Sequence, residues 1–260
     1  MSDPVSLTLT PPLARLTFTR PEALNAINVA MAEAFESAVS QVLAVPGIRV
    51  LILQAEGRAF VAGGDLGAFH LSVDPVAEAD AIISPMNRAL AALHASDVLV
   101  LALVQGAAAG AGLSLVLGAD FALASDSASF SFAYLKIGAP ADCGITWALP
   151  RIVGLRRALW LAIEGSTLRS DAALAMGLVN EVVPADLLAT RGEELARKLA
   201  GNAPGAAGAL KRLLRDSFGA DYATTLEAEK AAFLTAAAHP DFAEAIGAFL
   251  QKRPPRFSGT

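Results

Sequence analysis

The sequence predicts an α/β protein, and three features carry that reading. Val50 to Ala55, VLILQA, and Val98 to Val104, VLVLALV, are short runs dominated by Val, Ile, Leu and Ala, the pattern of strands buried on both faces. Each leads into glycine and small residues and then an apolar helix start, at EGRAFVAGGDL and at QGAAAGAGLSLVLG. From Leu187 onward the pattern is helical.

At 260 residues the chain suits one large domain or a domain with a smaller appendage, and either buries a sizeable core. Hydrophobic residues make up 54% and charged residues 17%, below the charged share of about 25% typical of soluble domains. This surplus points to subunit contacts, because a monomer so poor in charge exposes large apolar patches. A net charge of -5 with no basic run argues against a nucleic-acid binder. All the lysines, Lys136, Lys198, Lys211, Lys230 and Lys252, lie in the second half, which leaves room there for a local anionic ligand. The single cysteine, Cys143, excludes an internal disulfide and a Cys-rich zinc site. The N-terminus lacks the basic start, apolar core and cleavage site of a signal peptide, so a cytoplasmic protein is expected.

Behind the first strand, Gly63 and Gly64 let backbone pass close to a ligand, and Asp65 is placed to cap a helix beginning at Leu66. The second strand lies in an uncharged stretch, Val98 to Ala119, long enough to span a membrane and carrying Gly106 and Gly110 at the GxxxG spacing. Its flanks are Asp97 and Asp120, and neither an aromatic belt nor a second span accompanies it. The reading is therefore a strand, a glycine turn over Gln105 to Gly112 and a buried helix over Leu113 to Gly118.

A glycine turn feeding a helix N-terminus binds anions, because the first helical N–H groups lack partners. The dinucleotide fingerprint fits poorly here, since Leu115 stands where a third small residue is required, and no Lys-Ser or Lys-Thr completes a phosphate loop. Ser114 lacks the second glycine of a nucleophile elbow, and His70, His94 and His239 read as core or surface histidines rather than its base. Two strand ends side by side can instead aim two main-chain N–H groups at one oxygen, which makes an oxyanion hole. Further on, a helix is expected over Ile145 to Val153 with Asp142 a candidate cap before it, while Lys211 and Arg212 read as surface charge.

Longer segments resemble a known family. RPEALNAIN at Arg20 to Asn28, AFVAGGDL at Ala59 to Leu66, QGAAAGAGLSLVLGADFALAS at Gln105 to Ser125 and IGAPADCGITWALPRIVG at Ile137 to Gly154 resemble the crotonase, or enoyl-CoA hydratase/isomerase, superfamily. The segment Gly165 to Pro184 and the tail AFLQKRPPRF extend the match. The resemblance implies a crotonase-like spiral of repeated strand-strand-helix units over residues 1–185. It implies a C-terminal helical trimerisation region over residues 186–260, assembling a homotrimer or dimer of trimers. The substrate implied is an acyl-CoA thioester, with no metal, separate cofactor, nucleic acid or membrane. By position, Ala62 and Ala111 match the two residues whose N–H groups hold the enolate oxygen. Ala23 and Leu24 match backbone contacts to the nucleotide end of CoA. Phe249 and Lys252 match tail residues that reach a neighbouring subunit's CoA, Lys252 as a charge for phosphate.

Hydratases of the superfamily use two glutamates, and the matching positions here hold Ser114 and Tyr134. Neither hydroxyl replaces a base of carboxylate strength. Asp142 follows in PADCGITW, and several isomerases of the family carry Asp there; the pattern is most like the ring 1,2-epoxyphenylacetyl-CoA isomerases. One carboxylate suits an isomerase, which takes a proton from one carbon and returns it to another. The expected activity is an isomerase shifting a double bond or ring epoxide with Asp142 as acid and base; enoyl-CoA hydration and non-catalytic acyl-CoA binding are the alternatives. Asn87 replaces the histidine of related dehalogenases, which speaks against that chemistry. Tyr134 is expected to line the acyl pocket, Cys143 to pack, and Ile145, where relatives carry Gly, to narrow the pocket.

Overall fold

The computed structural model describes residues 3–258. Its chain repeats one unit of strand, strand and helix. The first repeat is β1 (Val5–Thr10), β2 (Leu13–Phe18) and α1 (Val29–Ala44), and the second is β3 (Val50–Ala55), β4 (Ala59–Val61), α2 (Leu66–Leu71) and α3 (Pro75–Ala95). The third is β5 (Leu99–Val104), β6 (Ala107–Ala109) and α4 (Ala111–Gly118); the fourth is β7 (Phe121–Ser125), β8 (Ser129–Ser131), α5 (Ile145–Val153) and α6 (Leu155–Leu159). After β9 (Thr167–Arg169), α7 (Ser170–Ala175) and β10 (Glu181–Val183) come α8 (Leu188–Ala200), α9 (Pro204–Asp216), α10 (Tyr222–Ala237) and α11 (Pro240–Leu250).

The two strands of a repeat enter different sheets. The larger has the order β1-β2-β3-β5-β7-β10 and is parallel except at β1–β2; the smaller, β4-β6-β8-β9, is parallel except at β8–β9. Helices carry the chain back, so it winds as the spiral expected from the sequence. β5 is apolar throughout, and β3 is apolar and buried over Val50 to Leu53, because both their faces are covered there. Leu51, Leu53, Val100, Ala102 and Val104 join the central core with Phe18, Phe35 and Phe60. Val50, Ile52, Leu99, Leu101 and Leu103 meet Leu188, Ala196 and Ala200 of α8 on the other side. Each such aliphatic side chain contributes roughly 1.5–3 kcal/mol by leaving water.

The uncharged stretch is thus β5, β6 and α4, and no helix among the described residues is long and apolar enough to cross a membrane. Its glycines let the third repeat approach the second. A Cβ on Gly106 would fall 2.0 Å from the Arg58 carbonyl oxygen, and one on Gly112 would fall 1.9 Å from that of Val61.

Two features of the C-terminal half bear on the sequence reading. Lys211, expected at the surface, is buried: its Nζ donates to the Leu93 and Val98 carbonyls at 3.0 and 2.6 Å and pairs with Asp120 at 3.1 Å. The reason is local, since α9 turns this side chain toward the C-terminal end of α3 and the chain just beyond it, where the ammonium meets the Leu93 and Val98 carbonyls. Arg212 stays exposed and pairs with Asp97. In contrast α10 buries no residue, and Tyr222, Phe233, Leu234, Phe249 and Leu250 along α10 and α11 are each at least 61% exposed.

Candidate active site

The second and third repeats press two helix-entry turns together. A Cβ on Gly110 would lie 3.6 Å from the Cα of Gly63. Residues 62–65 run beside 24–27 like a short parallel pair: Ala62 N donates to Leu24 O at 3.1 Å, Ile27 N to Gly63 O at 2.8 Å and Asp65 N to Ile27 O at 2.9 Å. Ala62, matched by motif to an oxyanion donor, therefore has its N–H engaged by the Leu24 carbonyl. The free N–H of this turn belongs to Gly64. Gly63 O faces Ile27, and because the C=O and N–H of one trans peptide point in opposite directions, the Gly64 N–H is turned the other way, where no acceptor among the described residues meets it. On the second turn Ala111 opens α4, and its N–H is one of the unpartnered donors of that helix start, at the positive end of the dipole.

The Arg20–Asn28 motif backs the first turn. Asp65 caps α2, as its sequence position suggests, accepting from Ala68 N at 3.3 Å and from Arg20 at 3.0 Å. Arg20 also donates to the Ala26 carbonyl at 2.6 Å. Asn25, fully buried, donates to the carbonyls of Glu56 and Ala59 at 2.9 and 3.0 Å and accepts from Arg20 N at 2.9 Å. Neither role is visible in spacing alone, because each depends on partners from another repeat.

Ser114 of α4, Tyr134 at the start of a 3-10 turn and Asp142 ahead of α5 converge beside Gly110. The Tyr134 hydroxyl donates to Oδ1 of Asp142 in a short hydrogen bond. Ser114 Oγ lies 2.9 Å from the Tyr134 hydroxyl, 3.2 Å from the Asp142 carbonyl oxygen and 3.3 Å from that of Gly110. No histidine is among its partners. Asp142 does not cap α5, which starts at Gly144 without a side-chain cap; its half-buried carboxylate faces Tyr134 instead. Cys143 (φ 52°) and Gly144 (φ 79°) are both left-handed and turn the chain sharply behind it. Burial, and then the Asp142 charge, push the Tyr134 hydroxyl and the Cys143 thiol well above their usual ranges, so both remain protonated. Cys143 is a buried thiol, and Ile145 is wholly buried in the core.

The other predicted residues lie apart from this cluster. Ala23 closes the 3-10 turn Pro21–Ala23 and Leu24 follows in a left-handed conformation; their amides are taken by Arg20 O and Pro21 O and their carbonyls accept from Ala26 N and Ala62 N, which leaves a ligand the second lone pair of each carbonyl. Phe249 is 83% exposed, and the Lys252 ammonium has no ion-pair partner among the described residues. Beyond Cys143 opens a cavity of about 620 Å³ lined by Asn87, His94, Trp147, Arg151 and Phe218 among others, with neither Tyr134 nor Asp142 in its wall.

The enoyl-CoA hydratase/isomerase family profile matches residues 10–260. The chain is 37% identical to a 1,2-epoxyphenylacetyl-CoA isomerase of Escherichia coli over 94% of each chain, and 36% identical to a probable enoyl-CoA hydratase of Rhodobacter capsulatus over 95% of each. A crystal structure of a putative enoyl-CoA hydratase/isomerase from Mycobacterium abscessus superposes with a TM-score of 0.93 at 34% identity, covering 98% of this chain and all of that one. With its paired sheets wound as a crotonase spiral and this likeness along its length, the chain belongs to the enoyl-CoA hydratase/isomerase family.

Proposed function

We propose that the protein is an acyl-CoA isomerase. The observation that supports it is the Ser114–Tyr134–Asp142 cluster, where a single carboxylate stands among neutral groups. Asp142 removes a proton from a carbon conjugated to the thioester. The C–H electron pair moves through the carbonyl onto its oxygen, where the Gly64 and Ala111 amides receive it. Each preorganised donor of this kind is worth about 3 kcal/mol to a developing oxyanion. Asp142 then returns the proton to a second carbon and the double bond shifts; no water is consumed. The Ala62 amide acts one step back, holding the turn against Leu24. The relative named 1,2-epoxyphenylacetyl-CoA isomerase supports a ring epoxide as one substrate class, opened through the same thioester enolate.

For the thioester's CoA, the carbonyls of Ala23 and Leu24 serve the nucleotide end, and Phe249 and Lys252 serve a neighbouring subunit's ligand. The bare apolar side of α10 and α11 supports a homotrimer or a dimer of trimers in the cytoplasm. Relatives named hydratases favour a second reading, in which Asp142 activates a water. Incubating the protein with a 2-enoyl-CoA and with a 3-enoyl-CoA, and following both by NMR in D2O, separates the two. Isomerisation predominates, and Asp142→Asn abolishes it while acyl-CoA binding persists. Faster water addition to the 2-enoyl thioester makes the protein a hydratase. Binding without proton exchange makes it a non-catalytic binder, and unchanged turnover in D142N removes Asp142 from the chemistry.

A further inference from the structure

We infer that Tyr134 is a positioning residue: held in turn by Ser114, it occupies one oxygen of Asp142 so that the other is left to move the proton. The inference rests on the isomerase reading above. It begins with the direction of each hydrogen bond. A carboxylate only accepts, so the Tyr134 proton points to Asp142 Oδ1, and the tyrosine oxygen is then free to accept. Ser114 is the donor within reach of that oxygen, at 2.9 Å. Among the described residues Tyr134 is the one hydroxyl or backbone donor to the Asp142 carboxylate, and the Cys143 thiol adds a weak hydrogen bond to it. The two carboxylate oxygens therefore differ: Oδ1 is anchored by a hydroxyl, and Oδ2 meets no hydroxyl or backbone donor among the described residues.

The anchor is rigid. Tyr134 is 6% exposed, its ring packs edge-on against Phe132 with centroids 5.2 Å apart, and a Cβ on Gly110 would sit 3.9 Å from its Cζ. The same ring thus rests on the residue before Ala111 and reaches Asp142 with its hydroxyl. It fixes the carboxylate relative to the amide proposed to hold the oxyanion. Because Tyr134 keeps its proton, it remains a donor throughout the neutral range and does not compete with Asp142 as a base. An unanchored carboxylate on the sharp Cys143–Gly144 turn would sample several orientations, and a shift of about 1 Å at a reacting group costs on the order of 10²-fold in rate.

The test uses the full chain with a 3-enoyl-CoA, measuring kcat, KM and thermal melting for Tyr134→Phe, Ser114→Ala and the double variant, with Asp142→Asn alongside. In Y134F kcat falls by about 10²-fold with KM held, and S114A lowers kcat by a smaller factor. The double variant matches Y134F alone, because Ser114 acts through the hydroxyl already removed; two independent packing defects would instead add. If Y134F does not fold, S114A against Ser114→Thr carries the test, the threonine hydroxyl restoring the lost rate. Full kcat in Y134F, a raised KM at unchanged kcat, or additive losses each overturn the inference while leaving Asp142 in place. Full turnover in D142N instead overturns the reading beneath it.

Discussion

Gly112→Ala tests whether the contact between the second and third repeats sets the site. The added Cβ would stand 1.9 Å from the Val61 carbonyl oxygen, and Cβ atoms essentially never come closer than 3.0 Å, so the two elements must part by at least 3.0 − 1.9 = 1.1 Å. The atom it meets is main chain on β4, which cannot swing aside as a side chain does. The movement therefore falls between Val61, three residues before Gly64, and the first turn of α4, which begins with Ala111. Overpacking of this kind costs roughly 1–3 kcal/mol in stability. Displacing one oxyanion donor costs about 10²–10³ in rate, so turnover should fall far more than the melting temperature alone suggests. Gly118→Ala on the same helix is the control, because nothing lies within 4 Å of its new Cβ. The assay is deuterium uptake beside the thioester carbonyl of an acyl-CoA in D2O, read by NMR, with a thermal melt of each variant. A folded G112A protein exchanging at the rate of G118A would refute the argument.

Two further outcomes follow from the buried charges around Asp120. Lys211→Met leaves Asp120 with Arg215 as its one ion-pair partner among the described residues and removes a donor from the Leu93 and Val98 carbonyls, so urea denaturation should show a loss of about 3–5 kcal/mol; a loss below about 1 kcal/mol places the ammonium in water after all. His94 accepts from Arg215 at 2.7 Å through Nδ1 and is therefore neutral, facing Arg215, Lys211, Asp120 and Asp216 with Trp147 edge-on to its ring. Burial, then the Arg215 and Lys211 charges, lower its pKa below the ordinary histidine value of about 6.5. Below that value the unfolded chain binds a proton that the folded one resists, so His94's contribution, present at neutral pH, is lost on acidification through the folded pKa. The melting temperature should fall between about pH 7.5 and pH 5.5, and His94→Gln should flatten that limb; an equal fall in both proteins refutes the assignment.

The elements most legible in sequence were those whose signal is local. β3 and β5 announce themselves because two covered faces demand unbroken apolar runs, and α5 matched the helix read over Ile145 to Val153. The three-residue strands β4, β6 and β8 are too short to carry a period, and they exist only through pairing with one another. Motif matching pointed to the Ala62 amide, but its N–H is taken by the carbonyl of Leu24, far off in sequence, and the N–H left without a partner among the described residues is that of Gly64. Lys211 was misread for a related reason. A lysine on an amphipathic helix looks solvated until the carbonyls of Leu93 and Val98 are seen to end beneath it. Asp142 was picked out by likeness to relatives, while its tie to Tyr134 needed the loop to fold back.

The two unpartnered amides have a consequence for how such a protein changes over time. A peptide N–H belongs to whatever residue other than proline occupies the position, so no other exchange of side chain deletes it, provided the backbone keeps its path. The side chains at 114, 134 and 142 have no such protection, and each replacement there redraws their hydrogen bonding. If the two amides hold an oxyanion as proposed, a lineage built this way can wander among reactions while that grip is inherited intact, and the glycines that permit the close approach are where the inheritance is most easily broken.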